Sequence, residues 1–482
     1  MIISPPPRFI GRKNELQALE TAYQSEHSEL VVIYGRRRLG KTWLLRKFAS
    51  DKKGILFFSS TERDEVQLRD FSRAVINAGA PGGDVVDTFA SWKVAFEQFS
   101  RIPEKGKKLL IIDEFPYILQ QNPAVASILQ HTWDHVLQNS NVMIILCGSA
   151  MSFIEKEILS EKSPLYGRAT RVLRVDPMPF ADAQKFVPGY SPADKVATYA
   201  IAGGSPLSLS YFNDAVPLGD NVIANTLTSY APLSELPLQT LQQECREPFN
   251  YLQILKVVAL GASKPNEIAA KAGIAPTSIN RYLEILTDMG FIQKEYSINT
   301  GIKETANIQR GLIRLTDNFI AFWFSCVLPN EELINYGAGT QVWQEHIVDH
   351  LNEICSFPFE AICRELLMRL NAKGKLPFLC NRVGRLFTKD NTVIDIAAAE
   401  INGNGMLLGE CKYRNSPMTT GDFYKLVQKA EHLGIRPSAY YLFSKSGFAP
   451  ALVLDAKNQD VPVELWTLED IVQALSLIHI SE

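Results

Sequence analysis

Residues 35–42 read Gly-Arg-Arg-Arg-Leu-Gly-Lys-Thr, between the apolar run LVVI at 30–33 and the helix-like run TWLLRKF at 42–48. A strand, a glycine-punctuated turn and a helix in that order are the context in which GxxxxGK[ST] is informative. Gly35 and Gly40 permit a tight loop whose backbone N–H groups converge, and the helix N-terminus that follows favours an anion. Lys41 would reach the outer phosphates of a nucleotide, and the Thr42 hydroxyl would ligate Mg²⁺. Arg36, Arg37, Arg38 and Leu39 line the same loop and Trp43 begins the helix, so residues 35–43 are candidate nucleotide contacts.

Further along, Leu109-Leu-Ile-Ile-Asp113-Glu114 reads as a buried strand ending in two acids. Asp113 would hold magnesium through water, and Glu114 would polarise the attacking water, because hydrolysis of a phosphoanhydride needs charge neutralisation and a positioned base. The runs ILFF at 55–58 and VMIIL at 142–146 are further strand candidates separated by helical or polar segments. That alternation predicts a parallel α/β sheet covered by helices.

These stretches resemble a known family, the archaeal-type AAA+/STAND-like P-loop ATPases of archaea and bacteria, often followed by a C-terminal domain of unknown function. The carriers are Phe9-Ile-Gly-Arg12, the Arg-rich loop, Ile112-Asp-Glu-Phe115, Cys147-Gly-Ser149, Ser163-Pro-Leu-Tyr-Gly-Arg168 and Gly203-Gly-Ser-Pro206. The resemblance implies that Gly11 and Arg12 lie near the adenine and that Ser149 is a polar sensor at a strand end. It also implies that Arg168 is an arginine finger or sensor, and that Pro206 marks a lid segment touching the nucleotide.

At 482 residues the chain exceeds one hydrophobic core. The expected order is a P-loop core at 1–185, a helical lid at 186–245, a winged helix at 246–300, a connector at 301–340 and an α/β restriction-endonuclease-like domain at 341–475. The winged-helix expectation rests on helix, turn, helix and an apolar run from Gly290 to Tyr296. Ile279, Leu283 and Leu286 should face inward there, and Thr277, Ser278, Asn280, Arg281 and Glu284 outward, where a recognition helix could read DNA.

The last segment carries its own constellation. Thr392 to Ala397 and Leu407 to Lys412 flank Ile401-Asn-Gly-Asn-Gly405, a strong hairpin signal. A two-residue Asn402-Gly403 turn would set Asp395 opposite Glu410, with Cβ atoms about 5 Å apart and Lys412 on the same face. Two acids and a lysine so placed can hold a divalent metal beside a scissile phosphate, and they resemble the PD-(D/E)XK nuclease core. Ile394 stands where that motif carries proline. Glu360, on a helix at 357–370, occupies the place in order where that fold adds another acid, and Arg364, Arg369, Lys373, Lys375, Arg382, Arg385 and Lys389 form a candidate phosphate-backbone patch.

Net charge is −3, so general basic coating for nucleic acid is excluded, though a local patch is not. Seven cysteines without a CxxC pair favour reduced thiols, and the start, MIISPPPRFIGRKNEL, lacks an apolar leader, which together point to a cytoplasmic protein without a membrane span. The expected ligands are ATP and Mg²⁺, with DNA and a nucleotide-dependent homo-oligomer as candidate partners. An ATP-driven switch on a DNA-processing nuclease-like domain, a signalling or assembly ATPase with an inactive tail, and a winged-helix regulator all remain open. Residues 476–482 (SLIHISE) do not continue the preceding helical pattern and carry no weight here.

Overall fold

A computed structural model describes residues 9–81, 86–245, 247–298, 311–388, 392–401, 403 and 405–477, with the side chains of 152, 243 and 244 left aside. Lys389, Asn402, Asn404 and 478–482, each part of an expectation above, lie outside those residues. The chain divides into two compact units, Met1–Asp176 and Pro177–Glu482.

In the first unit the described residues form a five-stranded parallel sheet: β1 (Glu29–Tyr34), β2 (Gly54–Phe58), β3 (Lys108–Asp113), β4 (Val142–Gly148) and β5 (Arg171–Arg174), in the order β2-β3-β4-β1-β5. The strands expected from sequence are present. All six residues of β1 and all seven of β4 are buried, which is why they read as unbroken apolar runs. Alternate side chains serve two cores. Leu30 and Val32 join Phe71, Trp92, Phe96 and Leu129 on one face, whereas Val31 and Ile33 join Leu44, Leu45 and Phe48 on the other. Because the central strands β1, β3 and β4 are covered on both faces, their carboxyl ends are where polar groups can surface, and both the phosphate loop and Asp113-Glu114 emerge there.

β5 escaped the sequence reading for a physical reason. It is an edge strand whose residues are half-buried or exposed, so Arg171-Val-Leu-Arg174 carries no apolar run.

The second unit begins with helices at Phe180–Ala183, Pro192–Ala202, Pro206–Ser210, Leu218–Thr226 and Leu236–Glu244. Helices at Pro248–Ala259, Pro265–Ala272 and Ile279–Asp288 follow, then an antiparallel pair, β6 (Ile292–Glu295) and β7 (Leu312–Leu315). Ile279, Leu283 and Leu286 are buried, at 1%, 3% and 0% exposure, and Asn280, Arg281 and Glu284 are exposed. The aromatic group Phe319, Phe322, Trp323 and Phe324 is buried in a core that runs from Phe180 to Leu475 through this whole unit.

The long helix Leu351–Ala372 leads into a five-stranded mixed sheet: β8 (Cys380–Phe387), β9 (Val393–Glu400), β10 (Met406–Lys412), β11 (Ala439–Ser444) and β12 (Val463–Thr467). The order is β12-β11-β10-β9-β8, antiparallel between β8, β9 and β10 and parallel from β10 to β12. The crossover helix Thr420–His432 connects β10 to β11, as parallel pairing requires. Its start is a reciprocal capping box between Thr419 and Asp422.

Candidate functional site

The loop at 35–42 is built as its residue types demand. A Cβ on Gly35 would stand 2.3 Å from the Val175 carbonyl oxygen, so only glycine fits that approach. Gly40 takes φ 84° at the N-cap of the helix Lys41–Ala49. Lys41 is 6% exposed, and its ammonium donates to the carbonyls of Gly35 (2.7 Å) and Arg36 (2.9 Å). Arg37 donates to the Tyr117 hydroxyl at 2.9 Å, and Leu39 is buried while Trp43 is 44% exposed.

Below the loop, the Thr42 hydroxyl donates to Asp113 Oδ2 at 2.7 Å, and Asp113 is 3% exposed. The other Asp113 oxygen accepts the Glu114 N–H at 3.1 Å. Glu114 Oε2 accepts both the backbone N–H (3.1 Å) and the hydroxyl (3.0 Å) of Ser149. This donor set suits a magnesium-bound triphosphate, since a hydroxyl and a carboxylate are the hard oxygen ligands Mg²⁺ selects and a buried lysine balances phosphate charge.

Backbone strain gathers at the same place. Among the described residues the non-glycine positions at positive φ are Arg12 (59°), Arg38 (68°), Glu114 (56°) and Asn141 (50°), and the first three were singled out from sequence. Arg12 follows Gly11, itself at φ 71°, and its guanidinium donates to the Leu39 carbonyl at 3.0 Å and to Glu15 at 2.9 Å, tying the N-terminal segment to the phosphate loop. Sequence reasoning missed Ser59. Its hydroxyl donates to the Asp113 (2.7 Å) and Glu114 (2.6 Å) carbonyls, fixing the turn after β3. A serine directly after the apolar run ILFF was the signal that could have found it.

Arg168 is a fork on Asp134, with its Nε and Nη2 at 2.8 to 3.2 Å from the carboxylate and its Nη1 on the Pro164 and Tyr166 carbonyls. The guanidinium holds the Asp134 carboxyl below its usual range. In this structure Arg168 therefore braces the helix Ala124–His135. Pro206 belongs to the second unit, where it occupies the first turn of the helix Pro206–Ser210.

The second constellation lies in the second unit. The β9–β10 register pairs Ala399 with Met406 and Ile396 with Gly409, and one further step sets Asp395 across from Glu410. Asp395 Oδ2 accepts the Cys411 N–H at 3.1 Å, and Glu410 is clasped by Lys412 (2.5 Å) and by Lys429 of the crossover helix (3.3 Å). Glu360 sits within reach of Arg364 (3.5 Å) and Arg385 (3.3 Å). Burial, with Asp395 second, pushes the Glu360 carboxyl up to about 7, and burial plus Glu410 raises Asp395. Lys412 is raised too, its carboxylate neighbours overcoming burial.

Two facing carboxylates can hold a Mg²⁺-class ion that keeps most of its waters. A joint site of three acids is not assembled, because among the described residues no group of three or more His, Cys, Asp or Glu side chains is placed to hold a metal ion. The basic stretch is also not one surface. Arg364 and Arg385 are drawn into ion pairs with Glu360, and Arg369 with Glu365, while Lys375 and Arg382 are exposed.

Residues 9–212 match a family described as an ATPase domain predominantly from Archaea, and residues 323–426 match a family of archaeal and bacterial proteins of unknown function. An uncharacterised protein of Methanocaldococcus jannaschii is 31% identical over 407 residues, 84% of this chain and 88% of the relative. A short uncharacterised ATP-binding protein of the same organism is 47% identical over 45 residues, 9% of this chain and 76% of the relative. Among solved structures, a Walker-type ATPase of Pyrococcus abyssi superposes with a TM-score of 0.54 at 18% identity, covering 67% of this chain and 98% of that one, a likeness of fold. With the phosphate loop, the Asp113-Glu114 strand end and the parallel sheet on the first unit, the chain belongs to this family of archaeal-type ATPases, in which an ATPase domain precedes a domain of unknown function.

Proposed function

We propose that the chain hydrolyses ATP with Mg²⁺ and uses the nucleotide state to control a nuclease-like C-terminal domain that acts on DNA. The observation that carries the reading is the pair Thr42–Asp113, 2.7 Å apart beneath the glycine loop, with Glu114 held by Ser149 beside it. ATP supplies the phosphoanhydride and Mg²⁺ the neutralising charge. Lys41 and the loop N–H groups bind phosphate, Thr42 and Asp113 hold the ion, and Glu114 orients and deprotonates water. Gly11 and Arg12 would contact the nucleoside, and residues 35–43 the phosphates. Ser149 senses the terminal phosphate through Glu114. Arg168, released from Asp134, would serve as sensor or finger in a homo-oligomer.

For the C-terminal segment the support is the order helix, three antiparallel strands, helix, parallel strand, with Asp395, Glu410 and Lys412 on neighbouring strands and Glu360 on the helix. Asp395 and Glu410 would hold a metal and Lys412 orient water at a phosphodiester. The helix Ile279–Asp288 with its hairpin would be the winged helix that meets DNA, through Asn280, Arg281 and the exposed Thr277 and Ser278. Cys147, Cys326, Cys355, Cys363, Cys380 and Cys411 are buried thiols, in keeping with a cytoplasmic setting, and no helix among the described residues is long and apolar enough to cross a membrane.

A second reading is a signalling or assembly ATPase with an inactive tail. It is favoured by the cations on Glu360 and Glu410 and by the absence, among the described residues, of a three-acid cluster. One assay separates the two: purified chain is incubated with duplex, branched and single-stranded DNA, with and without ATP and Mg²⁺. The proposal expects Mg²⁺-dependent cleavage that Asp395→Ala and Glu410→Ala abolish and that ATP modulates. Intact ATP turnover with no cleavage of any substrate would select the second reading.

A further inference from the structure

The hairpin β6–β7 and the C-terminal acids, assigned to different functions above, are joined by one shared guanidinium. Arg385 of β8 lies with Nε 3.3 Å from Glu360 Oε2 and Nη1 3.7 Å from Glu295 Oε2, and Glu295 is the last residue of β6. Arg314 of β7 also reaches Glu295, at 3.4 Å. The guanidiniums of Arg314, Arg364 and Arg385 all lie over the ring of Phe357, 5.3, 6.0 and 5.4 Å from its centroid, one helical turn before Glu360. Arg385, Glu295 and Glu360 are 12%, 15% and 15% exposed, so their interaction is only weakly screened by solvent.

The backbone makes the same link. Beyond β6, the Ile298 N–H donates to the Arg385 carbonyl at 2.9 Å, the Phe387 N–H donates to the Ser297 hydroxyl at 3.0 Å, and Arg382 donates to the Tyr296 carbonyl at 3.2 Å. The hairpin's continuation thus lies along β8, and a displacement of β6 moves the partner of Arg385.

We propose that Glu295 and Arg385 are positioning residues for Glu360. Glu295 competes for the guanidinium that otherwise neutralises Glu360, so the placement of the β6–β7 hairpin sets whether Glu360 is available to a divalent cation beside Asp395 and Glu410. This rests on the reading of the acids as a metal site. It adds that the element proposed to meet DNA controls that site through a carboxylate outside it. The charged groups around Glu360 are Arg364 on its own helix, Arg385 on β8, Asp395 on β9, and Glu295 and Arg314 on the hairpin, with Glu410, Lys412 and Lys429 beyond Asp395.

The test is calorimetric titration of the full chain, without nucleotide, with Mn²⁺. The Asp395→Ala titration is the reference, because Thr42 and Asp113 also offer oxygen ligands. Glu295→Gln leaves Arg385 wholly on Glu360 and should weaken Mn²⁺ at least threefold. Arg385→Gln removes the competing cation and should tighten it at least threefold. Arg385→Met, which can still pack on Phe357, serves as a second variant with the same expectation should the glutamine variant fail to fold. Circular dichroism confirms folding of each. Affinities that weaken alike in the Glu295 and Arg385 variants, or that stay within twofold of wild type in Glu295→Gln, overturn the inference. Folded wild type that takes up no more Mn²⁺ than Asp395→Ala instead overturns the metal-site reading, and the inference with it.

Discussion

Glu114 Oε2 is held by two donors of Ser149, its backbone N–H at 3.1 Å and its hydroxyl at 3.0 Å, so the candidate base after β3 is fixed by the residue that follows β4. The strands are neighbours in the sheet, and Glu114 sits at φ 56° to make the contact. A base held by a neighbouring hydroxyl can be released when that hydroxyl turns to another acceptor.

Glu114→Gln should keep nucleotide affinity and lose roughly 10²-fold or more in ATP turnover, the usual range for removal of a general base. Ser149→Ala should lose about tenfold, since one hydrogen bond to a charged group, worth roughly 1.5 kcal/mol, is removed. Steady-state phosphate release together with binding of a fluorescent ATP analogue checks both. Equal turnover in Glu114→Gln and wild type would remove Glu114 from the chemistry.

Gly35→Ala should damage the loop more than any arginine substitution within it. The added Cβ would meet the Val175 carbonyl oxygen at 2.3 Å, and a backbone atom cannot swing away. Forced overlap of this kind costs roughly 1–3 kcal/mol. ATP affinity should fall more than tenfold with a lowered Tm, measured by titration and differential scanning calorimetry.

The Arg168–Asp134 fork predicts a pH signature. Because the guanidinium lowers the Asp134 carboxyl, the pair's stabilisation is present above the carboxyl's unfolded value and lost as pH falls through the lower folded value. Thermal melts of wild type and Asp134→Asn should differ most near pH 7, and the gap should close below about pH 4. The difference should be small, since both side chains are about one third exposed, at 28% and 35%. A gap that widens on acidification would contradict the assignment.

Glu365 should be a structural keystone of the second unit. Its carboxylate accepts the N–H groups of Phe180 (2.8 Å) and Ala181 (3.3 Å) and pairs with Arg369 at 2.9 Å. Burial raises the carboxyl, and these partners oppose the rise. Glu365→Ala removes the acceptor of two N–H groups and the carboxylate paired with a buried arginine, which costs roughly 3–5 kcal/mol. Chemical denaturation should show that loss, with ATP turnover of the folded fraction unchanged.

The central strands of the first sheet were legible because burial on both faces writes them as apolar runs, and the phosphate loop because its glycines are sterically obligatory. β5 was not legible, since an edge strand needs only half its residues buried. The hairpin register followed from turn chemistry at Asn402-Gly403 and pointed to Asp395 opposite Glu410. What charge composition hid was pairing. Arg364, Arg369 and Arg385 look like a basic patch in the sequence, but Glu360 and Glu365 stand one helical turn before the first two, and Arg385 meets acids remote in sequence, Glu360 and, most distantly, Glu295. Likewise Arg168 reads as a free finger until Asp134, 34 residues earlier, is brought beside it.

The most direct measurement is isothermal titration of the intact chain with ATP, with and without Mg²⁺, for wild type and Lys41→Ala. Magnesium-dependent binding in the wild type, weakened at least a hundredfold in Lys41→Ala, is the predicted result. A wild type that takes up no ATP, or a Lys41→Ala protein that binds as tightly, would contradict it.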